Sequence, residues 1–494
     1  MAAGLALGIG ELLAGLLASV PSPVTAVGRV VIDVAPRSVR EGGIEAFGTS
    51  DKPALVIGTI LVVILLGALV GIASRRSPAR TLVAFGAFGL VGVVAAATDP
   101  VTSWPLAAMV GLVAAGCGVA TVRRLLRAAP AAGTAGPLVD LERRRFLVLA
   151  VGAGSLALAA GSISRVMSAG GRAASARART VLRRPAAPLA PPPAGLEAAT
   201  PGISPLVTPL DRFYRIDTAI VVPDVDLDRW RLRFTGMVDR PFSLSYDELA
   251  AMPQVEADIT LCCVSNEVGG RLVGTARWQG VPLQDLLDRA GVQPGASQLV
   301  GRSVDGFTTG FPTAALDDGR RALVALGMGG EPLPLRHGFP ARLVVPGLYG
   351  YVSATKWLSE LELTTLDGFD AYWVPRGWAK EAPIKTSSRI DVPRLGQRLP
   401  AGRQAVAGVA WAPTRRVSRV EVQLDDGPWV QADLGPELSA DTWRQWTWVW
   451  DATPGSHVLR VRALDGSGEA QDERQRPPAP NGATGFHRIR VQVA

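Results

Sequence analysis

The run Ala54–Ser74 contains no charged residue. At about 1.5 Å per residue it reaches roughly 30 Å as a helix, the thickness of a bilayer's hydrocarbon core. Only a helix would satisfy its backbone in lipid, so this one stretch commits the N-terminal part of the chain to helical structure. Thr81–Thr98 and Trp104–Val122 repeat the pattern. Ala2–Val20, interrupted by Glu11, and Phe146–Ile163, rich in Ala and Gly, are weaker versions of it. The expectation is a bundle of about five transmembrane helices over residues 1–165. The 494 residues leave room behind it for globular domains.

Arginines orient these helices, because cytoplasmic flanks collect Lys and Arg. Arg75, Arg76 and Arg80 lie between the second and third spans, and Arg123, Arg124, Arg127, Arg143, Arg144 and Arg145 lie between the fourth and fifth. The 99–103 connection has none, so everything after Ile163 is expected on the extracytoplasmic side of a bacterial cell membrane. The net charge of +8 has the same origin: residues 1–200 hold 19 basic and nine acidic side chains, leaving 32 and 34 for the rest. The globular part is therefore not basic, and a nucleic-acid partner is excluded as the main function. Glu142-Arg-Arg-Arg-Phe-Leu147 resembles the twin-arginine export signal, placed internally, which moves folded and cofactor-loaded domains; a plain topology flank explains the same residues. Glu11 marks either a functional site or a helix end, and Cys117 reads as a packing residue. All three histidines lie beyond residue 330, which excludes a haem held by paired histidines in the helices. Three cysteines exclude a disulfide scaffold.

Residues 166–209 are rich in Pro, Ala and Arg and are expected to be a semi-extended linker. Over 210–383 the pattern is mixed: Trp230–Gly236 alternates like a strand, Tyr246–Met252 and Pro282–Ala290 read as short helices, and Ala341–Pro346 as a short strand. An α+β domain is expected there. Over 384–494, Val420–Leu424, Trp446–Trp450 and Val458–Ala463 alternate between Gly-containing turns, which predicts an immunoglobulin-like β-sandwich.

The densest unusual stretch is Ile259-Thr-Leu-Cys-Cys-Val-Ser-Asn-Glu-Val-Gly-Gly270. A cysteine that ends an apolar strand can present a thiolate, a soft ligand for a redox-active metal. Two buried structural thiols, or a vicinal bridge between Cys262 and Cys263, fit the same residues. Around it come, in order, Asp211-Arg-Phe-Tyr-Arg-Ile-Asp217, Trp278-Gln-Gly-Val-Pro282, Asp305-Gly306, His337-Gly-Phe-Pro-Ala-Arg342 and Lys356-Trp357-Leu358. This series resembles the sulfite oxidase family of molybdopterin enzymes. Ser387–Asp391, Ala410–Ala412 and Gly482–Gly485 resemble that family's second, dimerisation-type domain.

The resemblance implies a molybdenum–molybdopterin cofactor, with Cys263, three residues before Asn266, as the one protein ligand and the catalytic residue. It implies a cofactor shell of Arg212, Phe213, Tyr214, Asn266, Ser303, His337, Arg342, Ser353 and Lys356, in which Arg342 and Lys356 meet the pterin phosphate. It also implies two-electron oxo transfer on a small molecule, with electrons passing to a separate protein or a quinone, and a homodimer through the C-terminal domain. Sulfite-oxidising members carry arginines just after the Cys-x-x-Asn loop, whereas Glu267, Val268, Gly269 and Gly270 stand here. Sulfoxide or N-oxide reduction is the alternative chemistry, and a cofactor-free envelope binding module the alternative class.

Overall fold

In a computed structural model of the chain, residues 171–494 are described except 186. Residues 1–170 are described except 18–19, 37–38, 40–41, 44–45, 48–50, 75–76, 99–101, 129–143, 145, 158 and 161–170. Arg75, Arg76, Arg143, Arg145 and the linker's first five residues, 166–170, thus lie outside the described residues. The chain divides into two compact units, one of Met1–Ala174 with Ala219–Asp224 and one of Ser175–Thr218 with Val225–Ala494.

The first unit is helical: α1 (Ala2–Leu16), α2 (Pro23–Val34), α3 (Asp51–Ser74), α4 (Pro78–Ala97) and α5 (Trp104–Ala128), followed by the short apolar helix α6 (Phe146–Ala157). Among the described residues, three stretches are long and apolar enough to cross a membrane: Lys52–Ser74, Ala79–Ala97 and Trp104–Ala128. The other two expected spans are shorter helices. In α1 the reason is visible. Leu17 leaves the helical region, and Ser22 starts a new helix by accepting from the Thr25 N–H at 3.2 Å, with Pro23 in its first turn. Glu11 Oε1 accepts from Ser22 Oγ at 2.8 Å and from the Val24 N–H at 3.0 Å. Its carboxylate therefore sits at the positive end of α2, which accounts for an acid in an otherwise apolar segment. Close helix contacts run through small residues: a Cβ on Gly89 or on Gly111 would lie 3.1 Å from the other's carbonyl oxygen. None of the apolar window of α3 is buried by the rest of the chain.

The second unit starts with segments expected to be a tether. Instead, α7 (Arg172–Arg179) precedes a stretch bonded along the unit: Arg177 Nε donates to the Leu333 carbonyl (2.9 Å), Leu189 N to Glu256 (2.7 Å) and Leu196 N to Gln445 (2.8 Å). The α+β portion has two sheets. Strands β1 (Arg231–Gly236), β2 (Phe242–Ser245), β5 (Gln298–Ser303), β6 (Thr308–Pro312) and β10 (Leu358–Thr364) form one, ordered β2-β1-β10-β5-β6, with β1 and β10 parallel. Strands β3 (Val255–Cys262), β4 (Val273–Pro282), β7 (Leu323–Met328) and β8 (Glu331–Pro332) form the other, with β9 (Arg342–Val344) on β7. Helix α8 (Tyr246–Ala251) opens with a Ser245/Glu248 capping box, and α9 (Leu283–Ala290) ends at Gly291, whose φ of 68° suits glycine.

The C-terminal region is all β. β11 (Ser387–Val392), β13 (Gly402–Trp411), β16 (Asp433–Leu434) and β17 (Arg444–Ala452) make one sheet, and β12 (Arg398–Leu399), β14 (Val417–Leu424), β15 (Trp429–Gln431), β18 (Gly455–Asp465) and β19 (His487–Val493) the other. Val406, Trp446 and Trp450 of the first sheet share one buried core with Val420, Val461 and Val491 of the second. This β-rich region is sewn to β3. Thr260 N donates to the Asp441 carbonyl (2.9 Å), Trp443 N to Thr260 Oγ1 (2.7 Å), Ser439 Oγ to the Asp258 carbonyl (2.8 Å) and Arg389 Nη1 to the Gly270 carbonyl (2.6 Å).

Candidate functional site

From Ala257 to Cys262, β3 is buried at every residue. Its ladder with β4 ends at the pair Cys262–Val273, so Cys263 is the first residue free of it. The turn that follows is held by its own backbone and by one side chain: Cys263 N donates to Leu272 O (2.9 Å), Asn266 N to Cys263 O (3.0 Å) and Leu272 N to Asn266 Oδ1 (2.7 Å). Gly269 has φ +78° and the His487 ring lies where a Cβ would go, so glycine is required there.

Cys263 is 8% exposed and unbridged, as is the deeper Cys262. Burial pushes the Cys263 thiol up. The Ser265 N–H and hydroxyl beside the sulfur and the Lys356 charge pull it back toward the thiolate. Burial likewise raises Tyr214, with Cys263 and Cys262 near enough to add to the rise and Arg342 to oppose it.

The motifs that are far apart in sequence meet around these groups. Phe213 stacks on Tyr214 (5.3 Å between centroids) and stands edge-on to Trp278 (5.8 Å) and His337 (5.7 Å). The Arg342 guanidinium lies 4.8 Å above the Trp278 ring and donates from Nη1 to the His337 carbonyl at 3.1 Å. Lys356 Nζ donates to Asp217 Oδ2 (3.0 Å) and to the Ile216 carbonyl (3.1 Å).

The residues fit an anionic cofactor, and the atoms they leave unpartnered are the test. Among the described residues, both ring nitrogens of His337 and Arg342 Nε are buried without a hydrogen bond; the Leu210 carbonyl favours the His337 proton but does not reach bonding geometry. Arg342 is 3% exposed, and desolvation lowers it to about 10. Lys356, 8% exposed, is lowered to about 8 by burial and by Arg342, against the opposing pull of Asp217. Burial and the charges of Arg342, Lys356 and Arg336 push His337 down to about 3. Buried cations are costly unless paired. Among the described residues the one acid bonded to them is Asp217, which Arg215 shares at 2.8 Å, so the cluster suits a phosphate-bearing ligand.

Other expected shell residues are used differently. Arg212 is exposed, and no described side chain bonds it. Ser353 Oγ donates to the Leu348 (3.2 Å) and Tyr349 (3.0 Å) carbonyls, and Ser303 Oγ accepts from the Asp305 N–H at 3.4 Å, so both hydroxyls close local turns. Asn266 shapes the loop through its oxygen. The sequence reading missed Ser265 and Asp217, although both stand inside the quoted motifs, and it left Trp278 out of the shell.

A narrow cleft, of about 10 Å³, opens beside the loop. Cys262, Asn266 and Glu267 line one side, and Ser387, Ser388 and Gln471 of the β-rich region line the other. No cluster of three or more histidine, cysteine, aspartate or glutamate residues placed to hold a metal occurs among the described residues.

Comparison with known proteins agrees with this chemistry. Residues 219–373 match the model of the oxidoreductase molybdopterin binding domain. Over 155 residues the chain is 36% identical to an uncharacterized oxidoreductase of Bacillus subtilis, covering 31% of this chain and 74% of that one. Over 305 residues it is 30% identical to human mitochondrial sulfite oxidase, covering 52% of this chain and 56% of that protein. The chain thus spans little more than half the length of the sulfite oxidase it matches. The sulfane dehydrogenase SoxCD of Paracoccus pantotrophus shares the fold, at a TM-score of 0.52 and 24% identity over 58% of this chain and 81% of that one.

Proposed function

The chain belongs to the family of molybdenum-cofactor-dependent oxidoreductases with a sulfite-oxidase-type molybdopterin-binding domain, and on that premise we propose that it is a membrane-anchored enzyme of two-electron oxo transfer whose metal is held by Cys263. When bound, the molybdopterin supplies a metal that exchanges an oxygen atom and two electrons with substrate. This chain's own residues do the rest. Ser265 steadies the Cys263 sulfur as a thiolate, Arg342 and Lys356 receive the phosphate, and the two unpartnered nitrogens of His337 can donate to or accept from the pterin edge according to tautomer. Phe213 and Trp278 wall the shell against water.

One observation carries the reading: a buried, under-paired cationic cluster lies beside the Cys263 thiol that follows β3. The reading also takes residues 1–165 as a multi-pass anchor, the catalytic unit as extracytoplasmic, and Arg143-Arg144 as an export signal. In it the C-terminal region is immunoglobulin-like and pairs two copies, and a separate carrier or quinone exchanges the electrons.

The test compares Cys263→Ser and Cys262→Ser, purified from a molybdopterin-producing host, for molybdenum and pterin content. Loss of molybdenum with pterin retained in Cys263→Ser, and full content in Cys262→Ser, is the expected result. The reverse pattern, or no molybdenum in the unaltered protein, refutes the assignment.

A further inference from the structure

We propose that Asp217 is a positioning residue for the cofactor: its carboxylate, shared with Arg215, fixes the Lys356 ammonium in place to receive the pterin phosphate. The proposal rests on the cofactor reading above, in which Lys356 meets that phosphate.

Lys356 sits where a charged lysine is hard to keep. Its side chain is 9% exposed, and Trp357 beside it has φ +49°, a left-handed backbone that a bulky residue rarely takes. The kink is held from several sides. Trp357 Nε1 donates to the Leu335 carbonyl (2.9 Å), the Trp357 N–H to the Gly338 carbonyl (3.3 Å) and the Leu343 N–H to the Thr355 carbonyl (2.9 Å). The backbone thus commits this ammonium to the interior by contacts that need no ligand. Arg342 adds a like charge there, and His337 and the Cys263 thiol are near enough to feel the lysine. Burial and Arg342 favour the neutral amine, which cannot hold a phosphate by charge.

Asp217 opposes both. Its side chain is 6% exposed, and its Oδ2 accepts from Lys356 Nζ at 3.0 Å and from Arg215 Nε at 2.8 Å. The Ile216 carbonyl accepts from the same ammonium at 3.1 Å. A lysine has three N–H donors, so these two acceptors orient it and leave one donor for a phosphate oxygen. A lone carboxylate so close would repel the phosphate. Arg215 offsets it through the shared oxygen, and the three side chains together keep a net positive charge.

The experiment uses the full-length chain in detergent from a molybdopterin-producing host, unaltered and as Asp217→Asn and Asp217→Glu. It reads pterin content after dialysis at pH 6 and at pH 8.5. Asparagine keeps the size and an acceptor oxygen and loses the charge; glutamate keeps the charge. Lys356 stands at about 8 with Asp217 in place. Losing an opposite charge at this range weakens its hold on the proton by about tenfold or more. The lysine of Asp217→Asn therefore stays charged at pH 6 and is neutral at pH 8.5. That variant should keep its pterin at pH 6 and hold at least about fivefold less than the unaltered protein at pH 8.5. Asp217→Glu should follow the unaltered protein at both. A loss in Asp217→Asn that is equal at the two pH values would make Asp217 a structural residue only and overturn the proposal. So would equal content in all three proteins, and both results leave the cofactor reading intact. Absence of pterin from the unaltered protein overturns the cofactor reading and the role of Asp217 with it.

Discussion

Arg342 gives the sharpest prediction, because its sign differs between the empty and the loaded protein. Its folded-state pKa of about 10, against an ordinary 12.5, means that folding disfavours the charged side chain by about 3 kcal/mol. At 3% exposure, solvent screens little of this. Replacement by Met removes that cost together with the hydrogen bond to the His337 carbonyl, which is worth about 1.5–3 kcal/mol as a charge-assisted contact. In protein made without molybdopterin, Arg342→Met should therefore be between neutral and about 2 kcal/mol more stable. In cofactor-loaded protein the same change should strip most of the pterin. Eleven of the twelve tryptophans lie beyond residue 224 and only Trp104 in the first unit, so tryptophan fluorescence during heating in detergent reports mainly the second unit. A Tm equal to or a few degrees above the unaltered apoprotein's, with pterin content down at least tenfold, is the expected pair of results. A cofactor-free Arg342→Met destabilised by more than about 2 kcal/mol would refute the reasoning, since the charge would then have its partner already.

Two further outcomes follow from the same cluster. His337 has a folded pKa of about 3 against 6.5, so its contribution is present above pH 6.5 and is lost as pH falls toward 3: the unfolded chain takes up a proton that the folded one cannot. Urea unfolding of the cofactor-free protein should lose about 2 kcal/mol between pH 7 and 5 through this residue, and His337→Phe should lose that much less over the same interval. Gly338→Ala should lower pterin content and cost about 1–3 kcal/mol, because its φ is +111° and the new Cβ would press on Lys356 Cα at 3.0 Å and Arg342 Cβ at 3.2 Å. Unaltered pterin content in that variant would show that the two cations tolerate displacement.

The sequence was most legible where one local rule decided the structure. The charge-free run at 54–74 became α3, and the alternation at 446–450 became the middle of β17. It was less legible where two rules competed. Ala2–Val20 has the composition of a span, but Ser22 and Pro23 start a new helix that the polar Arg29 and Asp33 had disguised. The 172–197 stretch has a linker's composition and lacks a linker's freedom, since its partners Leu333, Glu256 and Gln445 lie 67 to 249 residues away, where no window reaches. In the site, Cys263, Phe213, Tyr214, His337, Arg342 and Lys356 come together from ordered motifs. Ser303 and Ser353 stood in matched motifs as well, yet hydroxyls are easily taken by neighbouring backbone, and a motif does not say which way an oxygen turns. The far wall of the cleft stood in quoted motifs too, Ser387 and Ser388 in one and Trp411 in another, but nothing in those motifs says that they face the Cys263 loop.

The seam between β3 and the β-rich region bears on how such a chain can be varied. Thr260, three residues before Cys263, bonds Asp441 and Trp443, and the Cys263 loop is pinned by Arg389. A chimera cut near residue 384 would exchange one wall of the cleft and loosen the turn that presents the sulfur, so a swapped tail should alter cofactor retention as much as selectivity. Point changes at Ser387, Ser388, Trp411 or Gln471 leave Arg342, Lys356 and His337 in place. Inheritance can therefore retune that wall residue by residue while the half that carries Cys263, Arg342 and Lys356 stays constant.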